Sequence, residues 1–361
     1  MRLLIVLAAL IAVTTATSVE ELPINIPIPG LPIEIPLPTL GELNPAKIAE
    51  LFAQFMTNFG KKYANPLEQA NALVTFGNNV KNIIELNAKV VGDTVQYGIN
   101  QFSDLTDAEF ASKMLTKEPV RPIDFEEAHR VNFTHSNYAS IPSFDWRKQA
   151  NVVGPVRDQG SCGCCWAFAA AGLMQSAYGI KNKKIIQPSE QQLCDCGMPN
   201  TSPGCNGGNV GTALKYAMNT GISLDTSYTA YNPTRATKTN VCDDKNKPNT
   251  IKIKSYKWFS PADDSEMGDT LFTYGPIVAI FKVGPSFRNY KSGIFISNDC
   301  DKNNLGYHWV QIVGYGGENG IPYWIVKNSW GTSYGESGYV RFLRGDDLCT
   351  LESLELYYAT A

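Results

Sequence analysis

Gln159-Gly160-Ser161-Cys162-Gly163-Cys164-Cys165-Trp166-Ala167-Phe168 joins a Gly-Ser-rich loop to an apolar run that continues to Gly172. The loop supplies turn chemistry and the run reads as a buried helix, so Cys165 falls in the first helical turn. The positive end of the helix macrodipole favours thiolate over thiol there. Cys165 is therefore a candidate nucleophile, provided that a histidine reaches it from elsewhere in the chain.

The chain has 361 residues, long enough for two domains or for one domain with appendages. A net charge of −3 lacks the basic bias of a nucleic-acid binder. Met1-Arg2, an apolar run at 3–13 and small residues at 14–18 have the layout of a secretory signal peptide, with cleavage expected after Ala16 or Ser18. The run is too short for a bilayer span, which needs about 20 residues, so no membrane association is expected. All nine cysteines follow residue 160, and in an oxidising compartment such a set implies a disulfide framework with at least one thiol left over. Two sequons, at Asn132 and Asn200, are compatible with glycosylation on that route.

Residues 19–44 are Pro-rich, with Pro23-Ile24-Asn25-Ile26-Pro27 echoed at Pro32-Ile33-Glu34-Ile35-Pro36. Such spacing excludes helix and suits either an extended linker or a docking sequence. Ile48, Leu51, Phe52 and Phe55 then mark one helix face, and Leu73, Phe76, Val80, Ile83, Ile84 and Asn87 mark a second. Residues 94–102 read as a short strand and 112–140 as an exposed, cleavable linker. Past residue 141 the apolar helix is followed by a Cys-, Gly- and Asn-rich loop through 194–210 and a helix at 209–219. Strand-like runs follow at 277–283, 309–315, 323–327 and 339–343. Helices first and strands later predict an α+β domain with two lobes.

Of the three histidines, His129 and His135 fall in the expected linker, which leaves His308, in Gly306-Tyr307-His308-Trp309-Val310, as the one partner for the thiol. Asn328, in Lys327-Asn328-Ser329-Trp330-Gly331, closes a strand and is placed to orient the imidazole, with Trp330 shielding the bond from water. A lone histidine is more often structural, and an Asn-Ser-Trp-Gly run more often just a turn. Together with the Cys165 stretch, these motifs resemble the papain family of cysteine peptidases, in the cathepsin L-like precursor form. Upstream, Glu68, Phe76, Asn79, Ile83 and Asn87 match the ERFNIN pattern of such propeptides, with Ala72 in place of its arginine. Gly98-Ile99-Asn100-Gln101-Phe102-Ser103-Asp104 matches the accompanying propeptide motif.

The resemblance implies a signal peptide at 1–18, an inhibitory propeptide at 45–140 and a two-lobed peptidase at 141–361, with a helical left lobe and a β-barrel-like right lobe. It assigns Cys165 as nucleophile, His308 as base, Asn328 as its orienter, and Gln159 with the Cys165 N–H as oxyanion hole. It pairs Cys162 with Cys205, Cys196 with Cys242 and Cys300 with Cys349, each bridge worth about 3–4 kcal/mol. Cys164 and Cys194 stand where relatives carry other residues, as a fourth bridge or as two buried thiols. Gly207 and Gly208 are expected to let a substrate backbone approach. Val210, Ile280, Gly306, Trp309 and Leu354 would line an apolar pocket for the side chain two residues before the scissile carbonyl, with Trp309 shrinking it. Asp104 is expected to take part in an acid trigger. A monomer acting on polypeptides, held by its own propeptide, open to cystatin-like inhibitors and needing neither metal nor cofactor is implied. The absence of occluding-loop histidines favours endopeptidase action, and a catalytically silent binding protein of the same fold is the competing reading.

Overall fold

The computed structural model describes residues 34–92, 94–118, 141–197, 204–238, 241–243, 248, 251–259 and 263–361. The signal segment, the first copy of the proline repeat, both upstream histidines, Asn132 and Asn200 lie outside the described residues. The chain divides into two compact units, 1–106 with 289–291, and 107–288 with 292–361.

In the first unit, helix α1 (Pro45–Asn58) starts where Asn44 accepts the Lys47 N–H and Pro45 sets the first-turn dihedral. Helix α2 (Pro66–Lys89) repeats the device with Asn65 and Pro66. Phe52, Phe55 and Phe76 interlock between them at ring separations of 4.9–6.0 Å. Asn79 Nδ2 donates to the carbonyls of Ser103 and Leu105, while Asn87 bonds both backbone groups of Tyr97. Buried Asp104 is held by Lys61 at 2.8 Å and by the Tyr63 hydroxyl at 2.9 Å. The expected strand at 94–102 shrinks to β1 (Val95–Tyr97). Beyond it, Asn100 Oδ1 accepts from the Phe102 N–H and Ser103 Oγ accepts from the Asn100 N–H. These local bonds compete with strand pairing and turn the chain.

The second unit opens with α3 (Asp107–Met114). Met114, Leu115 and Thr116 are buried, so this end of the expected linker is neither exposed nor irregular. Helices α4 (Cys165–Asn182), α5 (Glu190–Cys196), α6 (Val210–Thr220) and α7 (Pro233–Ala236) follow. Among the segments that escaped the periodicity reading are β3 (Ser255–Phe259), α8 (Asp264–Tyr274) and β9 (Leu356–Thr360). The remaining elements are β2 (Phe144–Asp145), β4 (Ile277–Val283), α9 (Pro285–Arg288), β5 (Tyr290–Phe295), β6 (Gly306–Glu318), β7 (Ile321–Lys327) and β8 (Tyr339–Leu343). The sheet runs β5-β8-β7-β6-β4-β9-β3, with β2 added to β6. It is antiparallel except where β5 meets β8. α4 lies on this sheet because Gly172 lets β6 come close: Gln311 of β6 donates to the Gly172 carbonyl at 3.0 Å and to Ser176 Oγ at 2.9 Å. A side chain at Gly172 would meet the Gln311 amide.

Disulfides Cys162–Cys205, Cys196–Cys242 and Cys300–Cys349 are formed. The fourth bridge is not. Cys164 and Cys194 are buried thiols in hydrogen-bond contact, and Cys164 Sγ lies 3.0 Å from the Tyr231 hydroxyl.

Candidate active site

Gln311 of β6 pairs with Lys327 of β7, so the chain leaving β7 at Asn328 passes beside His308. Asn328 Oδ1 bonds His308 Nε2 at 2.7 Å, and the Trp330 ring covers the imidazole at 4.5 Å. His308 is fully buried. Its Nδ1 makes no hydrogen bond among the described residues. The loop before α4 is fastened to the same place: the Gln159 N–H donates to the Ser329 carbonyl at 2.8 Å, and Ser329 Oγ donates to Gln159 Oε1 at 2.6 Å. With its oxygen held by Ser329, the side-chain amide of Gln159 points its NH2 group at the site. Cys165 opens α4, and the backbone N–H of Trp309, next to His308, donates to its sulfur. The structure thus gathers Cys165, His308, Asn328, Gln159 and Trp330 from three separate stretches of the chain.

The site is covered by residues upstream of position 141. Gln159 Nε2 donates to the Met114 carbonyl at 2.9 Å, besides the Cys162 carbonyl. Thr116 pairs with Tyr307 as an antiparallel bridge, its N–H donating at 2.8 Å and its carbonyl accepting at 2.9 Å. A side chain at Gly207 would strike Thr116 Oγ1, and one at Gly306 would press on Leu115. Of the two glycines expected to admit a substrate backbone, Gly207 admits this segment, whereas a side chain at Gly208 would meet the Trp166 ring. On the other flank, Phe110 stands edge-on to Trp330 at 5.5 Å, and Asp107 pairs with Arg288 at 2.8 Å.

Residues 141–359 match the sequence profile of papain family cysteine proteases, and 52–110 match that of the cathepsin propeptide inhibitor domain. The chain belongs to the papain family. It is 35% identical to mouse (Mus musculus) pro-cathepsin H over 85% of its own length and 89% of that protein's. It is also 35% identical to a cathepsin L-like proteinase of Phaedon cochleariae, over 87% and 95%. Among solved structures, procathepsin L 3 of Tenebrio molitor larval midgut superposes with a TM-score of 0.74 at 28% identity, covering 87% of this chain and 99% of that one. This papain-family member is a cysteine peptidase with the α+β procathepsin fold, and its propeptide is an intramolecular inhibitor.

The electrostatics of the covered site reverse the first expectation for Cys165. Burial pushes its thiol up to about 12, although N–H groups of Trp309 and of its own helix turn pull the other way. Burial likewise pushes His308 down to about 4 against the Asn328 bond. Both groups are neutral here. The macrodipole offers a fraction of a kcal/mol to about 2 kcal/mol, which is less than the cost of stripping water from a thiolate.

Val210, Ile280 and Trp309 are fully buried in one cluster, with half-buried Leu354 against it. The Trp309 indole donates to the Gly208 carbonyl at 3.3 Å, which fixes the ring inside the expected pocket. Sequence reasoning missed Ser329, which orients Gln159, and Tyr231, whose hydroxyl donates to the Gln159 carbonyl at 2.6 Å. Ser329 had a signal, being next to Asn328; Tyr231 had none. Also missed was a cavity of about 30 Å³ behind the site, lined among others by Arg157, Glu190 and Lys327. Burial there pushes the Lys327 ammonium down to about 8.

Proposed function

We infer that the chain is the zymogen of a secreted cysteine endopeptidase, with Cys165 as nucleophile, His308 as acid–base, Asn328 as its orienter and Gln159 as oxyanion donor. One observation carries the reading. A peptide carbonyl, that of Met114, already rests on the Gln159 amide beside a His308–Asn328 pair held at 2.7 Å. In catalysis a substrate carbonyl replaces it. The Cys165 thiol gives its proton to His308 as its sulfur attacks the carbonyl carbon, and charge gathers on an oxygen held by Gln159 and the Cys165 N–H. The C–N bond breaks as protonated His308 gives its proton to the leaving amine, which leaves a thioester. Neutral His308 then takes a proton from water, and the hydroxide equivalent releases the acid and the thiol.

Val210, Ile280, Trp309 and Leu354 support a preference for an apolar residue two before the scissile carbonyl, small enough to share the site with the indole. The leader-like residues 1–18 support secretion, with the mature enzyme acting in an acidic lumen or outside the cell.

Titration with an epoxide inhibitor before and after acid treatment tests the reading. Acid-treated protein should take up one equivalent per chain at Cys165, and untreated protein far less. Removing Gln159 as Gln159→Ala should lower kcat by about 10²–10³. Peptide hydrolysis that persists in Cys165→Ala would show that a different group does the chemistry.

A further inference from the structure

Arg288 ends the short helix α9 and is 2% exposed, unusual burial for a guanidinium. Its NH1 lies 2.8 Å from Asp107 Oδ1, and its guanidinium carbon sits 5.9 Å from the Phe110 ring centroid. Asp107 and Phe110 are one turn apart on α3, so one helix face supplies both the carboxylate and the ring. Phe110 leans in turn on Trp330, which Phe287 also contacts at 5.6 Å. Burial drives the Arg288 guanidinium downward, and the Asp107 charge opposes that shift.

The covering chain also gives this surface a direction. Met114 sits on the Gln159 amide and Thr116 on Tyr307 and Gly207, the flank where the glycines favour the acyl part of a substrate. Arg288 and Trp330 are on the opposite flank, under the part of a peptide that departs as the amine. When the propeptide is removed, Asp107 and Phe110 leave with it. The mature surface then presents a guanidinium, with the Trp330 indole across the place that Phe110 vacates, at a spot that held a carboxylate. Asp107 is itself 44% exposed, so its departure opens the guanidinium to solvent, and a planar guanidinium takes a carboxylate from a bound peptide in its place.

We propose that mature enzyme uses Arg288 as a carboxylate-binding subsite and prefers peptides carrying an acidic group within three residues after the scissile bond. Asp107 is the internal stand-in for that group. The inference rests on the function proposed above.

The test uses acid-activated enzyme and amidated fluorogenic peptides differing in one residue after the scissile bond: Glu, Gln or Lys. A matched Gln peptide with a free C-terminal carboxylate separates a side-chain acid from a chain terminus. The expected result is a kcat/KM about tenfold higher for Glu than for Gln. Lys should be poorer than either, and the contrast should fade as salt rises. Arg288→Gln should abolish the contrast between the Glu and Gln peptides. Arg288→Lys, which keeps charge in the core, should retain part of it. A response confined to the free-acid peptide assigns the subsite to a terminal carboxylate. Equal rates for all the peptides, or a Glu preference that persists in both variants, overturn the proposal. Wild-type enzyme inactive on every peptide would instead overturn the proposed function.

Discussion

The two flanks of the covered site are held in different ways. On the Gly207–Tyr307 flank the propeptide is bound by its backbone: Thr116 exchanges two main-chain hydrogen bonds with Tyr307, and glycines let it approach. On the Trp330 flank it is bound by side chains, Phe110 against Trp330 and Asp107 on Arg288. Backbone pairing tolerates almost any residue, as suits a groove that must accept many peptides. Side-chain docking is specific, as suits an inhibitor that must find its own enzyme. Latency should therefore depend on the sequence of one flank and be nearly indifferent to that of the other.

The sharpest way to break this contrast is to truncate each flank in turn. Phe110 is fully buried, and loss of a buried Phe side chain costs about 3–5 kcal/mol. Phe110→Ala should raise the initial rate at which the intact zymogen is labelled by an epoxide inhibitor at neutral pH by about 10² or more. Thr116→Ala keeps both backbone bonds and should change that rate by no more than about threefold. Equal effects from the two substitutions would mean that the flanks are not different in kind.

This contrast also explains what the sequence did and did not disclose. Groups that act through side-chain type at fixed spacing were readable: the Phe52 and Phe76 faces, Asn79 and Asn87, and the Cys165, His308 and Asn328 motifs. Groups that act through backbone were not. Thr116 and Leu115 sit in a proline-punctuated, mixed stretch whose side chains give no hint of pairing with β6, so the segment read as a linker. The turn after Tyr97 was hidden because Asn100 and Ser103 satisfy the backbone locally where alternation suggested a strand. The neutral state of Cys165 was equally illegible. It arises from the complete burial of the thiol in the folded domain, a tertiary effect that overrides the helix start visible in sequence.

Acid should act next most strongly, and beneath the side-chain flank. His308, under Trp330, has its pKa pushed down to about 4 in the covered state, against about 6.5 for a free imidazole. The sign follows directly. Above about pH 6.5 the imidazole is neutral in both states and contributes nothing. As pH falls the uncovered chain binds the proton more tightly, and the covered state loses about 3 kcal/mol, complete near pH 4. Cys165, pushed up to about 12, remains a thiol throughout. In a Cys165→Ala background, which cannot process itself, susceptibility of the propeptide to an added protease should rise between pH 6.5 and 4. Adding His308→Gln should flatten that rise relative to the background. Identical pH profiles for the two proteins would remove His308 from the trigger.

The smallest expected effect concerns the loop on which both flanks converge. Tyr231 donates to the Gln159 carbonyl at 2.6 Å and stands edge-on to Phe168 at 4.8 Å, so it fixes the backbone that carries the oxyanion donor. It bonds the Gln159 carbonyl, contacts Cys164 and packs on Phe168, which makes it a positioning residue. Tyr231→Phe keeps the ring contact and deletes one hydrogen bond, about 1 kcal/mol. A looser Gln159 should be felt where charge develops on the substrate oxygen, and less in ground-state binding. The expected result in the mature enzyme is a fall in kcat of about fivefold with KM nearly unchanged. Cys164, 3.0 Å from the same hydroxyl, would keep its thiol in place. A rise in KM at constant kcat would instead make Tyr231 part of the substrate surface, and the loop would then belong to the sequence-tolerant flank.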